Sequence, residues 1–184
     1  VLCKAGYQPI GLDHFVREDD ELSIALKNGQ LHRNFQGYCT RRTTGQVYAF
    51  GVTGISQLGT AYIQNTKSIP KYIEKLEVGT LPVAKGYALN KDEQITREVI
   101  EMLMCNYTIR WEELAQRLSL SVEAIKQATA YDEQRLQKFA QDGLITWDAD
   151  HIHMTSEGKL FVRNVAASLD KLMLKTDKSF SKPV

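Results

Sequence analysis

The stretch NKDEQITREVIEMLMCNY (residues 90–107) decides the fold assignment, because it combines a helix start signal with an apolar face. Asn90 and Glu93 have the spacing of a capping box, in which each side chain accepts a hydrogen bond from the other residue's backbone N–H. The apolar residues at helical spacing behind this start are Ile95, Val99, Ile100 and Leu103. The sequence therefore predicts a long helix with one buried side.

The segments after this helix have a winged-helix outline. A short helix is expected at 112–118, and one or two more at 121–142. An Asp-Ala-Asp turn between two strand-like runs predicts a β-hairpin over 144–155, and Thr155 opens a last helix. Three helices, a two-stranded wing and a closing helix thus predict a mostly helical domain from about 90 to 175.

The segments before residue 90 alternate between strand-like and helix-like patterns. Strands are predicted at 8–12, 47–52 and 83–90, helices at 20–28 and 68–78, and a loop at GVTGIS (51–56). This alternation predicts an α/β arrangement in the first part of the chain.

Composition and charge narrow the possible functions. The 184 residues carry 23 Lys and Arg against 22 Asp and Glu, and this balance gives no electrostatic reason to expect nucleic acid or an anionic membrane as a partner. No apolar run approaches the ~20 residues of a membrane span, and no signal-peptide pattern opens the chain. We therefore expect a globular protein with neither partner.

The cysteines and histidines do not form a metal-binding pattern. Cys3, Cys39 and Cys105 are too widely spaced for a zinc or iron–sulfur motif, and we interpret them as free thiols in a reducing cytoplasm. His151 and His153 alternate on a hairpin strand, where packing within the wing is favoured over metal binding.

Because winged helices often bind DNA, the segment that would hold the recognition helix (121–143) was compared with that function. Its charged residues are Lys126, Arg135, Lys138, Glu123, Asp132, Glu133 and Asp142. Four acids outnumber three bases, whereas a helix that enters the major groove presents a basic face. A packing or lid domain is the favoured interpretation.

Several stretches in a fixed order resemble one enzyme family. They are GYQPIGLDHFVREDDEL (6–22), LHRNFQGYCT (31–40), GVTGISQLG (51–59), YIQN (62–65) and REVIEMLMCNY (97–107). Nearly the whole chain resembles the C-terminal part of the bacterial oxygen-independent coproporphyrinogen III oxidases, which are radical S-adenosylmethionine (SAM) enzymes of haem biosynthesis. Two departures are Cys39, where the family usually has threonine, and Gly54, where it often has alanine.

The resemblance implies a domain organisation. Residues 1–80 would form the last strands and helices of a partial radical-SAM (β/α) barrel, residues 81–175 the family's winged-helix-like C-terminal domain, and residues 176–184 a tail. The family holds a 4Fe-4S cluster with a CxxxCxxC motif that this chain lacks. The chain also begins at Val1 rather than at methionine, so we expect a fragment without catalytic or metal-binding residues that is inactive alone.

The resemblance also implies a reaction. In the family, the reduced cluster cleaves SAM to a deoxyadenosyl radical, which removes a hydrogen atom from a propionate of coproporphyrinogen III. Loss of carbon dioxide and one electron leaves a vinyl group, and a second round gives protoporphyrinogen IX. The family binds two SAM molecules and uses an electron donor, and we expect a monomeric parent enzyme.

Three positions match residues that contact SAM in the family: Phe35, Gln36 and Ile55. An aromatic ring can lie against adenine, and an amide offers both a donor and an acceptor. The resemblance implies that Ile55 contacts the first SAM, and leaves open which SAM Phe35 and Gln36 contact. Without it, Phe35-Gln36 would be interpreted as a packed turn and Ile55 as core.

Four polar residues are candidates for substrate contact. Asp13 and His14 follow a predicted strand, and the carboxyl ends of parallel barrel strands form the active-site face. His32 and Arg33 could meet a substrate carboxylate, since guanidinium matches carboxylate geometry. The alternatives are a structural hydrogen bond for the first pair and a salt bridge to the acids of DDEL (19–22) for the second.

Two other functions were weighed against this one. The haem-chaperone paralogue of the superfamily has HNxxYW where this chain has HRNFQGYC, and Cys39 after Tyr38 argues for the decarboxylating enzyme. The second rival is a winged-helix binding module without catalysis. The sequence does not decide whether the C-terminal domain is a lid or a scaffold.

Overall fold

The structure, a computed structural model, describes residues 1–11, 14–34, 37–40 and 46–174. Their strands and helices are, in chain order, β1 (Tyr7–Ile10), β2 (His14–Arg17), α1 (Glu21–Lys27), β3 (His32–Asn34), β4 (Gly37–Cys39), β5 (Ile55–Gln57), β6 (Ala61–Asn65), α2 (Ile69–Glu77), β7 (Val83–Ala88), α3 (Lys91–Asn106), β8 (Thr108–Arg110), α4 (Trp111–Leu118), α5 (Val122–Ala128), α6 (Glu133–Gln141), β9 (Ile145–Trp147), β10 (His151–Met154), α7 (Val162–Ser168) and α8 (Lys171–Leu174). The predicted mixed α/β fold is confirmed. The predicted tail (176–184) lies outside the described residues.

The chain begins with a hairpin and a helix that share a small core. β1 and β2 pair antiparallel from Tyr7 opposite Arg17 to Ile10 opposite His14. The sequence predicted a strand at 8–12 with His14 just beyond its end. This placement of His14 is wrong, because β1 ends at Ile10 and His14 is the first residue of the returning strand β2. The Asp20 carboxylate caps α1 by accepting a hydrogen bond from the Leu22 N–H at 2.9 Å.

A three-stranded antiparallel sheet, in the order β5-β6-β7, follows in the chain. The predicted strand at 47–52 is wrong, because only Val47 forms a bridge there, with Gln57. The predicted loop at 51–56 is wrong at its end, where Ile55 already begins β5. Since β7 pairs with β6, this sheet continues past residue 80.

Helix α3 has the start that its sequence predicts. The Asn90 side chain accepts from the Glu93 N–H at 2.9 Å, and the Glu93 carboxylate accepts from the Asn90 N–H at 2.8 Å. The helix ends at Tyr107, which has a left-handed backbone (φ 58°) and whose hydroxyl donates to the Gly11 carbonyl at 3.1 Å. Burial is the main cause that raises the pKa of Tyr107 to about 12.

Residues 89–174 pack around one large core with a winged-helix outline. Ile109, Trp111, Leu114 and Ile152 are at most 1% exposed within it. The wing is a three-stranded sheet in the order β8-β10-β9, not the predicted two-stranded hairpin, because the short strand β8 pairs with β10. The hairpin β9-β10 itself is confirmed.

The predicted continuous last helix from Thr155 is wrong. After Thr155 the chain makes a turn at 156–157, a 3₁₀ turn at Gly158–Phe161, and then the separate helices α7 and α8. Gly158 lies so close to the Leu144 carbonyl that an added Cβ would stand 1.8 Å from its oxygen. This contact fixes the approach of the segment to the wing and interrupts a regular helix.

Among the described residues, no helix has the length and apolarity to cross a membrane.

Candidate active-site wall

A cavity of about 580 Å³ lies between the sheet β5-β6-β7, the hairpin β3-β4 and helix α3. Its lining combines aromatic, aliphatic and charged side chains from both parts of the chain. The lining residues are Arg33, Asn34, Gln57, Tyr62, Tyr87, Leu89, Glu93, Thr96, Arg97, Ile100, Glu101, Met104, Cys105, Arg163, Asp170 and Leu172. This volume is within the range of organic-ligand pockets, about 300–1,000 Å³.

One face of the sheet forms a wall of this cavity. Gln57 pairs with Tyr62, and Tyr62 pairs with Tyr87, so the three side chains lie on the same face. Ile55 stands two residues before Gln57 in β5 and therefore shares that face, opposite Gln64. The predicted SAM contact at Ile55 is thus next to the cavity wall, although Ile55 is outside the lining set.

Arg97 of α3 ties the sheet to the helix, and sequence reasoning missed it. Its guanidinium donates to the carbonyls of Leu58 at 3.1 Å and Gly59 at 2.9 Å. Its side chain is only 15% exposed and lies 3.7 Å from a carboxylate oxygen of Glu98. Burial raises the pKa of Tyr62, and the neighbouring Arg97 partly offsets that rise.

A periodic signal for this helix face exists in the sequence. Glu93, Arg97, Glu101 and Cys105 follow one another at intervals of four, which places them on one side of a helix. All four line the cavity. This spacing of charged residues could have predicted a polar face on α3, but it does not indicate which element that face contacts.

His32 is bound to α3 rather than to the acids near α1. Its Nδ1 lies 3.0 Å from a carboxylate oxygen of Glu101, and both side chains are mostly buried. The alternative of a salt bridge to the acids of DDEL (19–22) is therefore wrong for His32.

Arg33 and His14 both contact Tyr38. The Arg33 guanidinium lies 5.1 Å from the centre of the Tyr38 ring, a cation–π distance, and donates weakly to its hydroxyl at 3.5 Å. The His14 ring meets Tyr38 edge-on at 5.1 Å. Gly37 has φ 139°, and a Cβ there would lie 3.5 Å from the His14 ring. Of the predicted substrate residues, Arg33 lines the cavity.

Three predicted site residues lie outside the described part of the chain: Asp13, Phe35 and Gln36. In sequence, Phe35 and Gln36 stand between Asn34 and Gly37, which pair with each other across β3-β4.

The cysteines of the described residues do not fit an iron–sulfur cluster. No group of three or more His, Cys, Asp or Glu in that part of the chain could hold a metal ion. Cys3 is exposed, and burial raises the pKa of Cys105 to about 12, which keeps its thiol protonated. His153 instead hydrogen-bonds Thr108 at 2.6 Å, and His151 lies 2.9 Å from Asp148, which confirms the predicted wing packing.

The basic residues of the segment 121–143 are used inside the fold. Arg135 donates to the carbonyls of Ala130 and Ser168. The Lys126 ammonium lies over the rings of Trp111 at 5.3 Å and Tyr131 at 4.8 Å. These contacts weaken the DNA-binding interpretation further, since two of the three bases have partners within the protein.

A family model and several curated proteins match this chain, and their names refer to the same kind of enzyme. Residues 89–161 match the HemN C-terminal domain. Oxygen-independent coproporphyrinogen III oxidase from Salmonella typhimurium is 38% identical over 92% of the chain and 36% of its own length, and that from Helicobacter pylori is 36% identical over 98% and 39%.

A solved structure of coproporphyrinogen III oxidase (HemN) from Escherichia coli, a radical SAM enzyme, matches with a TM-score of 0.84. It is 37% identical and covers 93% of this chain, which in turn covers 38% of that structure. The chain thus spans a little more than a third of the length of these relatives.

Proposed function

The chain is homologous over nearly its whole length to the C-terminal region of the oxygen-independent coproporphyrinogen III oxidases, and we propose that it is the C-terminal part of such an enzyme. The reaction is the oxidative decarboxylation of two propionates of coproporphyrinogen III to vinyl groups. The enzyme would work as a cytoplasmic monomer with an external electron donor. Residues 1–80 would complete its catalytic domain and residues 81–175 form its C-terminal domain.

The observation that carries this proposal is the continuous sheet face that runs from Ile55 through Gln57 and Tyr62 to Tyr87. Ile55, which we propose as a SAM contact, shares this face with Gln57, Tyr62 and Tyr87, and these three residues line the cavity together with Arg33. This arrangement supports the proposal, because a SAM contact at Ile55 and a substrate contact at Arg33 of β3 would border the same cavity, as a reaction between the two molecules requires.

The chain's role in this chemistry is to position and to shield. Ile55 offers an apolar surface to SAM, with Phe35 and Gln36 as the neighbouring contacts. Gln57, Tyr62 and Tyr87 extend that surface and keep water from it. These residues would hold SAM, which when bound would provide radical chemistry for hydrogen abstraction, and they would supply orientation and exclusion of water.

The cluster itself belongs to polypeptide other than these residues, because their cysteines do not fit it. The 184-residue chain is accordingly expected to stay colourless after iron–sulfur reconstitution and to show no turnover alone. Stable cluster absorption in the isolated chain would contradict this assignment.

The test uses a chimera in which this chain follows the part of the E. coli relative that precedes its matched segment. With SAM and a reductant under anaerobic conditions, the chimera should form protoporphyrinogen IX, measured as protoporphyrin fluorescence after oxidation. Ile55→Asp should abolish turnover, since a carboxylate on the sheet face opposes an apolar contact. Ile55→Val should retain most of it.

A matched charge control is Ile24→Asp on α1, where the side chain is 50% exposed. It should leave turnover near that of the unmodified chimera. Equal turnover in the Ile55→Asp and Ile24→Asp chimeras would defeat the assignment of Ile55. An active cofactor-loaded chimera that transfers haem instead of forming protoporphyrinogen would identify the chaperone paralogue.

A further inference from the structure

Three arginines line the cavity. Arg97 is bound to the carbonyls of Leu58 and Gly59, and the other two are Arg33 and Arg163. Arg33 lies on strand β3 and Arg163 on helix α7. Within the residues that the structure describes, neither guanidinium has a carboxylate at ion-pair distance. Two guanidiniums that face one cavity and make no ion pair among these residues can each bind a carboxylate of a ligand.

The acidic side chains of the cavity already accept hydrogen bonds from the protein. Glu93 takes part in the capping box and accepts from the Tyr87 hydroxyl. Glu101 is bound to His32, and the Asp170 carboxylate accepts from the Leu172 N–H at 2.8 Å. Among the described residues, none of these acids is ion-paired with Arg33 or Arg163. Arg33 contacts the Tyr38 ring, an arrangement that still allows its guanidinium to bind an external carboxylate.

The rest of the lining is apolar or aromatic. Tyr62 and Tyr87 come from the sheet, Ile100 and Met104 from α3, and Leu172 from α8. Such a surface favours a broad apolar ring, while cations at its two sides favour carboxylates at the edge of that ring. The ligand chemistry is thus an apolar ring that carries acidic arms.

We propose that this cavity binds the tetrapyrrole substrate, and that Arg163 recognises one of its carboxylates while Arg33 recognises another. This inference rests on the proposed function and adds to it a residue from the C-terminal part of the chain. The winged-helix region then supplies part of the substrate site, which is more than the role of a distant scaffold.

The test measures binding by the 184-residue chain, so that it does not depend on turnover. The probe is coproporphyrin III, the air-stable oxidised form of the substrate, titrated by absorbance and fluorescence. Arg163→Glu and Arg33→Glu should each weaken binding by about tenfold or more, because a charge-assisted contact is replaced by repulsion. Arg163→Lys should lose less, since it keeps the charge.

Two controls separate carboxylate recognition from adhesion of a porphyrin to apolar surface. Arg17→Glu changes an arginine with a 75% exposed side chain that lies outside the cavity, and should leave the affinity unchanged. Coproporphyrin tetramethyl ester lacks the carboxylates, and its affinity should not respond to Arg163→Glu. The melting temperature of each arginine variant is compared with that of the unmodified chain, and an unchanged value shows that folding is preserved.

The inference is overturned if Arg163→Glu binds coproporphyrin III as tightly as the unmodified chain, if the ester responds equally, or if the unmodified chain does not bind. Any of these results together with an active chimera would leave the proposed reaction standing. Carboxylate-dependent binding with an inactive chimera would instead support the cavity assignment and count against the reaction.

Discussion

The two parts of the chain differ in how they bury their apolar residues. Residues 89–174 enclose a continuous core around Trp111 and Ile152. The first part has a small core of Ile10, Ala25 and Leu31, and completes it with Cys105 from α3. The second part can therefore hold itself together, whereas the first depends on packing against its neighbour.

The first part also exposes more large apolar side chains than the second. The most exposed large apolar residues of the first part include Phe50, 92% exposed, and Leu81, 78% exposed. Helix α2 adds Ile69 and Ile73, four residues apart on one side and 61% and 49% exposed. Apolar surface of this kind marks contact with other protein. The cavity lies where the two parts meet, so its shape depends on the first part being held against the second.

The largest effect is expected for Trp111→Ala. Trp111 is 1% exposed in the large core, and its truncation should lower the free energy of unfolding by about 3–5 kcal/mol. Urea unfolding followed by circular dichroism measures this change. Leu160→Ala, at a 72% exposed position, is the control and should cost less than about 0.5 kcal/mol. Equal costs would mean that the core assignment of this part is wrong.

Ile10→Ala tests whether the first part opens independently. Ile10 is fully buried, and its loss should destabilise the small core by about 2–5 kcal/mol. The Cys105 thiol should then react with a disulfide reagent at lower urea, while the unfolding midpoint of the second part stays in place. An equal fall of both transitions would show that the chain unfolds as one unit.

A pH effect is expected in the wing. Burial, with Lys159, His151 and Arg110 nearby, lowers the pKa of His153. Above the ordinary histidine pKa both states are neutral, and as the pH falls below it the unfolded state takes up a proton first, so stability decreases. His153→Gln should reduce this decrease between pH 7 and pH 5 in thermal melts. A variant with the same pH profile as the unmodified chain would rule out His153 as its source.

The smallest effect is expected on the exposed side of α2. Ile73→Ser should lower the free energy of unfolding by no more than about 1 kcal/mol, because Ile73 is 49% exposed and outside the buried core. Its expected effect is on association, with less self-assembly in sedimentation at high concentration. A cost above about 2 kcal/mol would mean that α2 contributes to the core of the first part.

Helices and strands were predicted from signals within a few residues, whereas the positions of the cavity residues depend on contacts between segments that are remote in sequence. The capping box of Asn90 and Glu93 and the hairpin β9-β10 were predicted because their signals lie within a few residues. Strand β8 was missed because three residues carry no periodicity, and it exists only by pairing with β10. Arg97 was missed because its partners, the carbonyls of Leu58 and Gly59, are remote in sequence.

The predicted site shows the same division. Ile55 was predicted from the family motif, but the sheet register was needed to place it on the face of Gln57 and Tyr62. Arg163 lies far along the chain from Arg33, and nothing in the local pattern of α7 indicates that the two line one cavity.

The measurement that tests the account most directly is hydrogen–deuterium exchange in the chimera with and without SAM. If the sheet face of the first part is the cofactor wall, SAM should slow exchange across residues 54–58 and leave the wing (144–155) unchanged. Unchanged exchange at 54–58, or protection confined to the wing, would contradict the placement of the cofactor on this face.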